Sequence, residues 1–132
     1  MKIIIKRVGK EPEMMNVNAV YRCDVISMIN TDLTDTIHLS EDTLFRMWVD
    51  EEGLIKQLDL NFFIATNNPF FPIQTIVGDV IFARIKKPDY TKELYDYELD
   101  NITKEDILHM DKLLKPHYQY GLYQEYMKKN LY

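Results

Sequence analysis

An α+β domain, with a small twisted and mainly antiparallel sheet, is the architecture this sequence predicts. Three observations carry it. Short β-branched or alternating runs recur from Lys2-Ile3-Ile4-Ile5-Lys6 onward, separated by turn residues. From Thr103 the apolar positions repeat instead at three- and four-residue spacing, the helix period. A length of 132 residues, 46% hydrophobic and 28% charged, suits one folded core better than a disordered or fibrous chain. Residues 1–132 therefore read as a single α+β domain, a sheet-and-helix core over 1–86 followed by a mostly helical extension over 87–132.

Residues 2–8 and 13–17 read as an opening β-hairpin around the turn Gly9-Lys10-Glu11-Pro12. Asn18 is placed to cap a helix running to about Asn30, because Val20, Tyr21, Val25, Met28 and Ile29 gather on one helical face. Polar residues 31–35 precede a short strand, Thr36-Ile37-His38-Leu39. A central hairpin is then expected, with arms 43–49 and 54–58 joined by Glu51-Glu52-Gly53, where glycine would take a positive φ at no steric cost.

Residues 61–75 read as an irregular loop, since Asn67-Asn68-Pro69 and Pro72 punctuate the pairs Phe62-Phe63 and Phe70-Phe71. Four phenyl rings in a loop must fold back over the core or present apolar surface to something else. Residues 76–85 read as one strand buried on both faces, with Gly78 marking a bulge or a close backbone approach. Residues 94–99 alternate and suggest an edge strand or docking loop. Thr103 caps the next helix, Glu105 and Asp106 favour its positive end, and Ile107, Met110, Leu113 and Leu114 form its apolar stripe. Pro116 breaks or restarts that helix, after which the tyrosines carry an aromatic face toward Tyr132.

Composition narrows the function. A net charge of −5 disfavours bulk nucleic-acid binding while leaving room for a local basic patch. One cysteine permits no intramolecular disulfide, and the opening residues hold no apolar run long enough for a signal peptide or membrane span. A bacterial cytoplasm and no membrane partner are the corresponding expectations. Cys23, on the expected amphipathic helix, reads as a buried and inert thiol. His38, His109 and His117 have no zinc-ligand spacing, and the four glycines make no phosphate-binding loop or dinucleotide fingerprint, so no metal and no cofactor is expected.

Asp50, Glu51 and Glu52 would serve acid–base or metal chemistry if their carboxylates converged, but adjacent residues on a tight turn point apart and read better as a solvated turn. Arg46, Lys56 and Arg84, with Lys86 and Lys87 nearby, would hold an anion if they faced one another; as polar-face residues of an antiparallel sheet they would not. Asn61, set between Leu58-Asp59-Leu60 and Phe62-Phe63, must find hydrogen-bond partners, either by tying down the following loop or by reading a ligand. Phe70 and Phe71 would stack on a base. Tyr118, Leu122, Tyr123 and Tyr126 suit either packing on the sheet or an interface in a homo-oligomer.

The order of hairpin, helix, Val49-Asp50-Glu51-Glu52-Gly53, Leu58-Asp59-Leu60-Asn61 and Ile76-Val77-Gly78-Asp79-Val80 resembles a family of short proteins carried by phages and mobile elements of Firmicutes. The likeness spans about residues 1 to 86, through a core of Asp/Asn-Glu-Glu-Gly-Lys, Leu-Pro-Leu-Asn and Ile-x-Gly. Here Leu54, Asp59 and Phe62 stand where the family has lysine, proline and arginine, which weakens the transfer of an anion-binding role to position 62. The resemblance implies an accessory protein acting in a bacterial cell and brings no activity with it.

Three functions follow as expectations. The first is a non-enzymatic protein that blocks or sequesters a bacterial defence component, either a host protein or a small anionic signalling nucleotide held by Arg46, Lys56, Asn61, Phe70, Phe71 and Arg84. The second is a protein-interaction module using the aromatic loop or the tyrosine-bearing helix. The third is a metal-assisted nucleotide hydrolase built on Asp50, Glu51 or Glu52.

Overall fold

Strand β7 (Val80–Ile85) is the centre of the fold because it is apolar on both faces except at Arg84, and such a strand needs cover on both sides and partners at both edges. The computed structural model describes residues 1–29, 31, 33–93 and 95–131, with side chains as far as Lys129. Asn30, Asp32, Leu94 and Tyr132, which fall within expected elements, lie outside the described residues. The chain is an α+β domain, as expected. In chain order come β1 (Lys2–Lys6), β2 (Glu13–Asn16), α1 (Cys23–Ile26) with a 3-10 turn Ser27–Ile29, β3 (Thr34–His38), β4 (Phe45–Asp50), β5 (Leu60–Ala65), β6 (Ile73–Val77), β7, β8 (Leu99–Asp100), α2 (Lys104–Leu114) and α3 (Pro116–Leu131).

The large sheet has the order β2-β1-β7-β4-β3, with β8 pairing the last residues of β7 beyond the reach of β1. All its pairings are antiparallel. Strands β5 and β6 form a separate two-stranded antiparallel sheet. That hairpin and α2 cover one face of the large sheet, where Phe45, Met47 and Phe82 meet Phe62, Ile64 and Ile76. The other face, with Ile3, Ile5, Trp48 and Ile81, is covered by Val25 and Ile29 and by the segment around Tyr97. Helix α3 packs on the far side of the small sheet, where Leu122 and Tyr126 meet Phe63 and Ile73.

The opening hairpin is where the sequence places it, while the strand expected over 36–39 begins two residues earlier, at Thr34, and ends at His38. The central hairpin is not. Residues 43–49 and 54–58 do not pair: β4 lies between β3 and β7, and residues 51–57 wind through consecutive turns that end with Gln57 in the left-handed region at φ 57°. All six residues of β4 are buried, so it must sit inside a sheet, whereas Leu54 and Ile55 are 74% and 82% exposed and have nothing to offer a partner strand. Gly53 supplies space and no positive φ, since a Cβ there would come within 2.7 Å of Val77 Cγ2.

Residues 61–75 are likewise a hairpin and not a loop, with a bulge between Leu60 and Phe62. The expected single strand over 76–85 is two. Gly78, at φ +74°, turns the chain from β6 in the small sheet to β7 in the large one. The close approach expected at Gly78 is real, because a Cβ there would come within 2.7 Å of Leu58 Cδ1.

The helix expected from Asn18 shrinks to four residues and a 3-10 turn. Tertiary pairing overrides the helical pattern: the Leu99 amide donates to Val20 O at 2.7 Å, the Arg22 amide donates to Tyr97 O at 2.9 Å, and Tyr21 forms a β-bridge with Glu98. Asp24, not Asn18, takes the free amides ahead of α1, accepting from Val20 and Tyr21. The C-terminal region follows its local signals. Thr103 and Asp106 form a reciprocal capping box, and Pro116 occupies the first position of α3, where a missing N–H leaves nothing unsatisfied.

Candidate functional site

The cationic residues expected to gather around an anion do not meet. In the pairing of β4 with β7, Phe45 lies opposite Arg84 and Arg46 opposite Ala83, so the two arginines leave the sheet on opposite faces. Arg46 is buried on the α1 side, where its Nε donates to Thr43 O at 2.8 Å and its guanidinium lies 4.7 Å from the centre of the Tyr97 ring. Arg84 points toward α2 and grips Asp106 through two bonds, Nε to Oδ2 at 2.8 Å and the second terminal nitrogen to Oδ1 at 2.9 Å. Its remaining terminal nitrogen donates to Asp42 at 2.9 Å.

These bonds set the charges. Burial pushes the Asp106 carboxyl up, but the Arg84 guanidinium and the amide of Thr103 outweigh it and hold the group below the usual carboxylate range. Asp42 is held well below that range by the Ser40 hydroxyl first, then by the Leu44 amide and Arg84. Arg84 gains correspondingly, chiefly from Asp106.

Lys56 and the acidic turn are also committed to structure. Lys56 Nζ lies 2.7 Å from Asp50 Oδ2, and Asp50 Oδ1 accepts from the Thr31 hydroxyl at 3.1 Å and the Glu52 amide at 2.9 Å. Burial raises the Asp50 carboxyl, and its bonds from Lys56, Glu52 and Thr31 bring it below its ordinary value. Asp50 points inward while Glu51 is exposed, so the carboxylates of this turn diverge. Lys86 makes a surface pair with Glu98 at 3.5 Å.

Asn61 is a tie between strands. Its Nδ2 donates to Lys6 O at 2.9 Å and Gly78 O at 2.8 Å, and its Oδ1 accepts from Lys6 Nζ at 2.8 Å. One side chain thus holds the end of β1, the start of β5 and the turn after β6. Asn61→Ala should destabilise the protein by about 2 kcal/mol, the expected effect of orphaning partly buried carbonyls, as read from urea unfolding. A change below about 0.5 kcal/mol would show that the tie is dispensable.

Phe70 and Phe71 stand apart from the other expected ligand residues. They occupy the tip of the β5–β6 hairpin and are 83% and 71% exposed. The tip is a bonded structure: the Thr66 amide donates to Pro72 O at 2.7 Å, the Thr66 hydroxyl to Phe71 O at 2.6 Å, and the Phe70 amide to Asn68 Oδ1 at 2.9 Å. Between this tip and α3 lies an open cleft of about 520 Å³, lined by Phe70, Phe71, Thr75, Tyr126 and Lys129 among others. Of the expected α3 interface residues, Leu122 is buried and Tyr126 packs its ring 5.3 Å from that of Phe63, while Tyr118 and Tyr123 remain on the surface.

Gln119 was not singled out by sequence. Its amide nitrogen donates to Phe63 O at 2.9 Å and Leu113 O at 2.7 Å, and its oxygen accepts from the Phe63 amide at 2.8 Å. A side chain thereby takes the outward groups of Phe63 on the edge of β5, as a neighbouring strand would. Cys23 departs from expectation in being exposed; desolvation, with Asp96 and Asp24 beside it, pushes its thiol up. Among the described residues no group of three or more His, Cys, Asp or Glu side chains is placed to hold a metal ion, and no helix is long and apolar enough to cross a membrane.

Comparison of the chain with protein-family models, with curated proteins and with solved structures finds no match in any of the three.

Proposed function

We propose that this chain is a non-enzymatic binding protein that holds another protein chain through the aromatic tip of the β5–β6 hairpin. The observation that carries the reading is the pairing of exposure with order at Phe70 and Phe71. A loop that fixes its backbone by its own hydrogen bonds loses little entropy on binding, and two exposed phenyl rings gain by being covered. Aromatic anchors of this kind carry most of the energy in protein interfaces. The half-exposed tyrosines of α3 extend the surface with rings that have polar tips.

The alternative of a sequestered anionic nucleotide lacks its cationic wall, because Arg46, Lys56 and Arg84 are spent on Thr43 and Tyr97, on Asp50, and on Asp106 and Asp42. The likeness of residues 1–86 to short phage and mobile-element proteins supports seeking the partner in a bacterial host.

Phe70→Ser combined with Phe71→Ser should leave the unfolding midpoint unchanged or slightly raised, since both rings are already in water. The same protein should lose at least about a hundredfold in affinity for the chain it holds, from two anchors of roughly 2 kcal/mol each. Affinity capture from bacterial lysate with quantitative mass spectrometry, alongside sedimentation, reads the outcome. Retention of the same partner by the double variant would overturn the proposal, as would a wild-type protein that holds no other chain, itself included.

A further inference from the structure

Lys6 is a cation placed where the end of β1 meets three other parts of the chain. The turn from Gly9 to Pro12 follows it, and the start of β5 and the junction of α2 with α3 stand opposite. Together these parts bound an open crevice of about 430 Å³, within the size that holds small molecules. An ammonium has three N–H groups. Lys6 Nζ donates to Asn61 Oδ1 at 2.8 Å and to Arg7 O at 2.9 Å, which leaves one N–H for an occupant of the crevice that Lys6 lines.

Both of those partners are neutral. Arg22 and Arg84, also half-buried, each grip a carboxylate, whereas no ion pair forms at Lys6 among the described residues. Glu11 and Asp79 act on Lys6 from farther off, and burial outweighs both, pushing the ammonium below its ordinary pKa. A half-buried cation met only by neutral oxygens gains from an anion that reaches it.

The rest of the wall describes that anion. Its other charged residues, among those described, are Lys10 and Glu11, so two ammonium groups face one carboxylate and the balance of +1 suits a monoanion. Asn61 and Gln119 also line the crevice, but their side chains are taken up by Lys6 and by main-chain groups. Leu60, Leu114 and the ring of Tyr120 supply an apolar side, and Leu60 and Tyr120, 47% and 59% exposed, retain surface for a ligand to cover.

We propose that this crevice binds a small organic monocarboxylate, its carboxylate on the remaining N–H of Lys6 and its apolar body against Leu60, Leu114 and Tyr120. The site lies at the end of the β5–β6 hairpin opposite the tip, where Leu60 pairs with Val77, so it stands independently of the docking role of Phe70 and Phe71.

Nuclear magnetic resonance titration of the chain with benzoate and with hexanoate tests the proposal. At least one of them should shift the signals of Lys6, Leu60 and Tyr120 saturably, with a dissociation constant of roughly 1 mM or below. Benzyl alcohol, a ring without the charge, and inorganic phosphate, a charge without the apolar body, should bind at least about tenfold more weakly. Lys6→Met should weaken the carboxylate about tenfold, and Leu60→Glu, which brings a second carboxylate to the wall, should do the same. The proposal is overturned if neither carboxylate gives a saturable shift, if the shifts centre elsewhere on the molecule, or if benzyl alcohol or phosphate binds as tightly. Binding indifferent to both substitutions overturns it as well. Should Lys6→Met lose its fold along with its bond to Asn61, Leu60→Glu decides alone, and undiminished binding by that variant is the contrary result.

Discussion

Arg84→Ala is expected to destabilise the protein by about 3–5 kcal/mol at neutral pH, because it leaves the carboxylate of Asp106 buried without its bidentate partner. The same carboxylate closes the capping box of α2, so the loss reaches from the sheet to the helix. Burial alone would raise the Asp106 carboxyl, and Arg84 is the largest influence opposing it. A carboxyl held below its unfolded value contributes stability that is present above the unfolded pKa, about 3.9, and disappears as the pH falls through the folded value. The difference between wild type and Arg84→Ala should therefore be largest near neutrality, begin to shrink as the pH falls into the carboxylate range and the buried Asp106 of the variant takes a proton, and vanish only where Asp106 of the wild type does so too. Urea unfolding across that range measures it. A pH-independent difference would mean that lost packing, and not the ion pair, accounts for the effect.

Phe82→Ala is expected to cost about 3–5 kcal/mol and to lower the unfolding midpoint by roughly 10–20 °C. Phe82 is fully buried on the central strand, and its ring stacks between Phe45 and Phe62, each 6.2 Å away. Phe62 belongs to the small sheet, so this stack is where the hairpin that carries the exposed tip is anchored to the large sheet. Its removal leaves a cavity between the layers as well as lost burial. Calorimetry on the variant checks the size, and a loss below about 1 kcal/mol would show that the small sheet does not depend on this contact.

What the sequence revealed was set by contacts between near neighbours. The hairpin of β1 and β2 turns at Gly9, which has φ +72°, and needs no distant partner. Thr103 and Asp106 are three residues apart, and Pro116 acts on its own helix. Strand β4 was legible as a strand but not in its pairing, because its partner β7 comes from across the intervening β5–β6 hairpin and no local pattern encodes that choice. The two phenylalanine pairs make the same point. Phe62 and Phe63 lie in a strand phase that buries one on each face of the small sheet, while Phe70 and Phe71 follow Pro69 at its tip and stay outside.

The expected anion site failed for a reason of parity. Arg46 and Arg84 lie in neighbouring strands, yet a register offset of one residue sends them through opposite faces of the sheet. Sequence distance could not reveal that offset. Gln119 was equally hidden, since its role is defined by which backbone groups remain after the strands have paired.

Photocrosslinking is the most direct test that the hairpin tip is the part of this molecule that holds another chain. A photoreactive analogue of phenylalanine installed at position 70 of this chain, expressed in a bacterial host and irradiated, should yield a discrete protein adduct of the protein itself or of a host chain. The same analogue at Leu108, 61% exposed on α2, supplies the background. An adduct at position 70 well above that background is the predicted result; labelling at position 70 no greater than at Leu108 would contradict the account.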